Sequence, residues 1–132
     1  MTQDQQKERA KRFLENFNQA DPAVFAELIT EDFTFEIMSG LKEFPPARGR
    51  DNFAGGESAA LKQLFPQGLG LRIGTIISEG PHVFVLAEAD TIAAKGRRYH
   101  QRYAFYLRFE GDLIAEGREY NDTNLVREVF LT

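Results

Sequence analysis

The chain contains no cysteine. That removes disulfides, a thiolate nucleophile and any cysteine metal site. It has only two histidines, His82 and His100, without metal-ligand spacing, and both read as structural or solvated rather than as ligands. No metal and no cofactor are expected. No serine lies in a Gly-x-Ser-x-Gly context, and no glycine run resembles a phosphate loop. No apolar run approaches membrane-spanning length. The opening MTQDQQKERAKRF lacks the apolar core of a signal peptide, so a cytoplasmic protein is expected. Positive charge is in deficit, with 16 Lys and Arg against 20 Asp and Glu for a net −4, which argues against nucleic acid as the main partner. There is no internal repeat, low-complexity stretch or second domain. At 132 residues the chain is expected to be one domain, residues 1–132. A chain of this size buries roughly two-thirds of its unfolded surface, so a real core is possible.

What is present is patterned. Ala10, Phe13, Leu14 and Phe17 fall at i, i+3, i+4 and i+7, one apolar stripe on a helix expected near residues 5–19. Asp21-Pro22 restarts the chain, with Asp as N-cap and Pro in the first helical turn, and predicts a second helix over 22–29. Phe33, Phe35 and Ile37 then alternate with polar residues as a strand. Residues 39–49 hold Pro45-Pro46 and read as a loop, either a plain connector or the rim of a pocket. Phe53, Ala60, Leu61 and Leu64 predict a third helix over 51–64, weakened at its start by Gly55-Gly56. Asn121-Asp122-Thr123 reads as a helix cap, with Asp122 starting a short last helix over Leu125, Val126 and Val129.

Three longer strands lie between. One begins at Leu69 and turns at Glu79-Gly80-Pro81; the next covers residues 83–93; the third covers 97–109 and turns at Glu110-Gly111-Asp112 into a last strand. The third alternates Tyr99, Gln101, Tyr103, Phe105, Leu107 and Phe109 against Arg98, His100, Arg102, Ala104, Tyr106 and Arg108. The arginine and histidine side reads as a solvated outer face. Helices first and strands after predict an α+β fold, a curved antiparallel sheet covered on one face by three helices and enclosing a cone-like cavity.

On the strand over 83–93, Phe84, Leu86, Glu88, Asp90 and Ile92 share a face, and Val83, Val85, Ala87 and Ala89 share the other. The large face is expected to meet the helices. The small face, with Ala104, Tyr106, Ala115 and Gly117, would lie outside, apolar enough to need a second cover, so a homodimer through that face is expected. Carboxylates among large apolar groups need a partner. Arg118, with Glu116 and Tyr120 on the last strand, is the candidate. The expected site is Asp90 as acid/base and Arg118 as its electrostatic partner, with Glu88 beside them. Tyr99, Tyr103, Glu116 and Tyr120 complete the polar lining. One reading of this cluster is an internal ion pair that fixes sheet register; the other is a carboxylate with a tuned pKa that removes a proton or activates water.

The pattern G-x-x-Y-x-x-x-Y-x-F, then F-E-G-x-x-I, then R-E-Y-x-D, resembles the SnoaL-like branch of the nuclear transport factor 2-like superfamily, which includes ketosteroid isomerases, polyketide cyclases and limonene epoxide hydrolases. Upstream, residues 13–21 are similar to that family's first helix and its exit, and Thr30-Glu31-Asp32-Phe33-Thr34-Phe35 to the start of its first strand. The resemblance implies the same cone, also called cystatin-like, a dimer, and a cavity for a small apolar molecule. It implies no single chemistry. The positions similar to the catalytic ones of ketosteroid isomerases are Phe13, Ile37 and Phe105. All three are apolar, which argues against that isomerase mechanism and makes them candidate ligand contacts. The epoxide hydrolase positions read Glu88-Ala89-Asp90 and Arg118, with the charge types rearranged. Two functions stay open: an isomerase, cyclase or hydrolase working by carboxylate acid/base chemistry, and a non-catalytic ligand-binding or dimerisation module.

Overall fold

A computed structural model describes Met1–Thr132. Helix α1 (Gln3–Gln19) starts from a capping box in which the Thr2 hydroxyl accepts from Gln5 N–H and the Gln5 side chain accepts from Thr2 N–H. Its stripe is buried as the spacing predicts: Ala10, Phe13, Leu14 and Phe17 are all in the core. Helix α2 (Pro22–Leu28) follows at once, its N-cap Asp21 accepting from Ala23 N–H. Helix α3 (Arg50–Leu64) covers β1 and packs beside α2. Helix α4 (Thr123–Phe130) is capped by Asp122, whose carboxylate accepts from the backbone N–H groups of Asn124 and Leu125.

The strands are β1 (Ile29–Ile37), β2 (Ala47–Arg48), β3 (Arg72–Glu79), β4 (His82–Ile92), β5 (Arg98–Glu110) and β6 (Leu113–Tyr120), in one curved open sheet ordered β2-β1-β6-β5-β4-β3. All pairs are antiparallel except β1 with β6, which run parallel because the chain crosses from one end of the sheet to the other between them. The short β2 lies inside the segment expected to be loop. Strand β3 begins at Arg72 rather than Leu69; Leu69 and Leu71 are buried ahead of it as irregular chain. Register shifts interrupt the β3–β4, β5–β6 and β1–β6 pairs. Each inserts local twist and bends the sheet around the helices.

Two expectations about faces are overturned. On β4, Val83, Val85, Ala87 and Ala89 point inward and are buried, while Phe84 and Leu86 are more than half exposed. Helix α1 crosses β3 and β4 and brings its own rings, so small side chains are what fits beneath it. On β6 the bulge decides. Phe109 pairs with Ile114 but Arg108 pairs with Glu116, which leaves Ala115 as an extra residue. Past that point the alternation is inverted. Glu116, Arg118 and Tyr120 face outward; Gly117 and Glu119 face the helices and are buried.

The core centres on phenylalanine. Phe13 contacts Phe17, Phe25, Phe33 and Phe53 with ring centroids 5.4–5.9 Å apart, and Phe17 reaches Phe35 and Phe105. Burying each such ring stabilises the fold by roughly 1.5–3 kcal/mol. The rings fill one end of the cone, and the opposite end stays hollow.

Candidate functional site

A cavity of about 330 Å³ opens beyond Phe17 and Phe35. Its walls come from α1 (Phe17), β1 (Phe35, Ile37), the loop over residues 38–46 (Ser39, Phe44, Pro45, Pro46), α3 (Glu57, Ala60, Leu61, Leu64), β5 (Tyr99, Tyr103), β6 (Glu119) and α4 (Val126, Phe130). The 38–46 loop is therefore the rim of a pocket rather than a plain connector.

Few polar groups reach this space. The Tyr99 and Tyr103 hydroxyls are 2.7 Å apart and bond to each other; four residues apart on one strand, they stand on the same face. Burial raises both phenols, and the negative charge of Glu119 adds to it. Glu119 itself is 8 % exposed. Asn121 Nδ2 donates to its Oε2 at 2.8 Å, and its Oε1 has no hydrogen-bond partner in the protein. Burial pushes this carboxyl up to about 8, with Glu57 repelling its charge and the Asn121 bond acting the other way. Glu57, half-buried in the α3 wall, is pushed by burial to about 7. Two carboxyls in one apolar cavity thus hold protons near neutrality, the state in which a carboxylic acid can donate as well as accept.

Helix α4 is tied down at both ends. The Gln101 side chain, fully buried on β5, accepts from Asp122 N–H at 2.9 Å and donates to Asp122 C=O at 3.1 Å. Arg97 Nη1 donates to the carbonyls of Glu128 and Val129 at the far end. This holds Val126 and Phe130 over the cavity.

Of the residues expected at the site, Tyr99, Tyr103 and Ile37 line the cavity. Phe13 and Phe105 do not; both are fully buried in the ring cluster behind its wall. Glu88, Asp90, Glu116, Arg118 and Tyr120 lie on the outer face. The expected Asp90–Arg118 pair does not form. Asp90 accepts from Arg98 at 2.9 and 3.2 Å, and that bond holds its carboxyl below the usual range. Glu88 is 2.6 Å from His100 Nε2, and Arg118 donates to Glu116 at 2.8 Å. Asp90 sits opposite His100 and Arg118 opposite Tyr106, six residues apart along β5, or roughly 20 Å at strand rise. Glu57 and Glu119, which do line the cavity, are absent from the expected set. Glu119 was within reach in the R-E-Y-x-D motif: shifting the inward face of β6 by one residue finds it.

The family model of the SnoaL-like domain matches residues 10–117. The chain belongs to the SnoaL-like family. Solved structures similar to this SnoaL-like protein include a putative isomerase from Bacillus subtilis, with a TM-score of 0.84 and 19% identity over 98% of this chain and 96% of that one. A putative SnoaL-like polyketide cyclase from Jannaschia sp. CCS1 gives 0.80 and 19% over 96% and 91%. An epoxide hydrolase of M. tuberculosis, LEH-like, gives 0.78 and 16% over 97% and 90%. At such identities the likeness is one of fold. Among curated proteins none matches the SnoaL-like chain. No helix of it is long and apolar enough to cross a membrane.

Proposed function

We propose that this SnoaL-like protein binds a small, largely apolar molecule in the cavity and moves a proton on it, as an isomerase, cyclase or hydrolase does. Glu119 is the acid/base group. The Tyr99–Tyr103 pair has one hydroxyl proton left to donate to an oxygen on the ligand, and Glu57 is the second carboxyl. The observation that carries this reading is Glu119 inside the cavity, buried and with one oxygen unpartnered. A carboxyl poised near neutrality suits general acid/base work. Asp90 and Arg118, paired elsewhere on the outer face, have no part in it.

A non-catalytic ligand holder is the second reading, favoured by a wall that is mostly apolar, with Phe17, Phe35, Ile37 and Phe130 among its residues. One experiment divides the two. Cyclohexanone in deuterated buffer exchanges its α-protons when a base removes them and an acid steadies the enolate. The wild-type protein should accelerate that exchange, increasingly as pH rises through about 8 where Glu119 ionises, and Glu119→Gln should return it to the buffer rate. Binding of the ketone with wild type and variant both at the buffer rate would make the protein a holder.

We also propose, as part of this reading, a cytoplasmic homodimer formed through the outer sheet face. Ile77, Phe84 and Leu86 are 54–61% exposed there, and large apolar side chains on an open sheet favour a second cover. A monomeric mass by light scattering at micromolar concentration would remove the dimer from the proposal.

A further inference from the structure

The charge of the cavity wall is one-sided. Its ionisable residues are Glu43 on the 38–46 loop, Glu57 on α3, Tyr99 and Tyr103 on β5 and Glu119 on β6. No lysine, arginine or histidine lines it. Nothing that titrates enters from α1, β1 or α4, whose contributions are Phe17, Phe35, Ile37, Val126 and Phe130. Asp122, at the start of α4, adds a further negative charge felt by Tyr99.

Acceptors predominate in hydrogen-bonding capacity as well, with Ser39 and Asn52 the further donors on the wall. Glu119 Oε1 and the Glu57 carboxyl have no protein partner, and Asn121 Oδ1 is buried without one. Asn121 has already committed an amide hydrogen to Glu119. Between them the two tyrosines have a single hydroxyl hydrogen left over. An unpaired buried acceptor is costly; Asn121 Oδ1 is one, and the free carboxylate oxygens of Glu119 and Glu57 on the same wall join it in suiting a ligand that brings donors.

We infer that the ligand of this cavity is an apolar molecule carrying a protonated amino group, with the ammonium among Glu57, Glu119 and Asn121 and the hydrocarbon body against Phe35, Phe65 and Phe130. This rests on the reading of the cavity as a small-molecule site and narrows it to a substrate class. An ammonium supplies up to three N–H donors and one positive charge to a wall that has acceptors and negative charge. Ring faces favour the same charge through their quadrupole. An anionic ligand would meet two or three carboxyls with no counter-charge on the wall.

Amine binding in this cavity carries a pH signature. Below about 7 the cavity carboxyls carry their own protons, and an arriving ammonium must displace them. Above about 8 they are ionised and the ammonium pairs directly. Amine affinity therefore rises between pH 6 and 9, a range in which an alkylamine stays charged. A neutral ligand of the same shape shows no such rise.

Three probes of one shape test this on the intact protein: cyclohexylmethylamine, cyclohexylmethanol and cyclohexanecarboxylate, measured by calorimetry at pH 6, 7.5 and 9. The amine should bind at least about tenfold more tightly than the alcohol at pH 9, a difference of about 1.4 kcal/mol. The advantage should shrink at pH 6, and the carboxylate should not bind. Glu57→Gln and Glu119→Gln should each reduce the amine's advantage over the alcohol, and a cooperative thermal transition reports that each variant is folded. Equal or weaker binding of the amine at pH 9, or binding of the carboxylate, overturns the inference and leaves the small-molecule reading standing. Failure of all three probes at millimolar concentration overturns both.

Discussion

A Cβ on Gly117 would lie 2.7 Å from Cδ2 of Phe35. Gly117 pairs with Phe35 across the parallel β1–β6 junction, so the ring lies over a backbone that carries no side chain. The same ring is part of the cavity wall. Gly117→Ala should destabilise the protein by about 1–3 kcal/mol, the usual cost of overpacking, although alanine ordinarily suits a strand better than glycine. Gly55→Ala, on α3 with nothing within 4 Å, should instead stabilise it by about 0.5–1 kcal/mol. Urea denaturation of both variants reads the two signs; equal signs would refute the close contact.

Thermal stability should fall as pH rises from about 5 to 9. Glu57 and Glu119 have folded-state values of about 7 and about 8, above the ordinary 4.5. A group raised on folding contributes stability that is complete below its unfolded value and is lost as pH climbs through its folded one. For Glu119 the contribution is on the order of a few kcal/mol. Glu119→Gln, which cannot ionise, should flatten much of the fall. A melting temperature that stays level or climbs between pH 5 and 8 would show that the carboxyls are hydrated rather than desolvated.

Asp90→Asn and Arg118→Met should melt at the wild-type temperature within measurement error. Asp90 is bonded to an exposed Arg98, and Arg118 to Glu116 at the surface. Exposed ion pairs contribute little to stability because water screens them. A marked loss in either variant would place its ion pair inside the proposed dimer contact, beyond the patch of Ile77, Phe84 and Leu86.

Gln101→Leu should cost about 2–4 kcal/mol. It leaves the N–H groups of Asp122 and Arg102 without the oxygen that accepts from both, and unsatisfied buried groups cost roughly 1–3 kcal/mol each. Amide hydrogen exchange should quicken through α4 and not through α1. Uniform quickening would point to a global effect instead of a lost anchor.

The parts of this fold that could be read from the chain are those where one period runs unbroken. On α1 the stripe from Ala10 to Phe17 is buried throughout, and on β5 every residue from Tyr99 to Phe109 falls on the side that alternation assigns it. The site was less legible because it depends on two inversions. The bulge at Ala115 leaves no residue signature, yet it decides whether Glu119 or Arg118 enters the cavity. On β4 side-chain size misled: Phe84 and Leu86 are larger than Val83 and Val85, and it is the smaller pair that fits under α1. Glu57 gave no signal at all, since a glutamate after Gly55-Gly56 on a weakly amphipathic helix looks like any solvated carboxylate. Only the third dimension puts it opposite Glu119.

With α4 fastened by Gln101 at its start and by Arg97 at its end, traffic through that wall is closed. The longest stretch of wall outside helix and sheet is the segment over residues 38–46, which carries Phe44, Pro45 and Pro46. These three side chains edge a hollow that already opens to solvent, and the two prolines fix the backbone there. A guest reaches the interior without any wall element moving, so the rim acts as a preformed collar, ordered before anything arrives. Replacing Pro45 or Pro46 with alanine would loosen that collar and weaken binding through the entropy of ordering it.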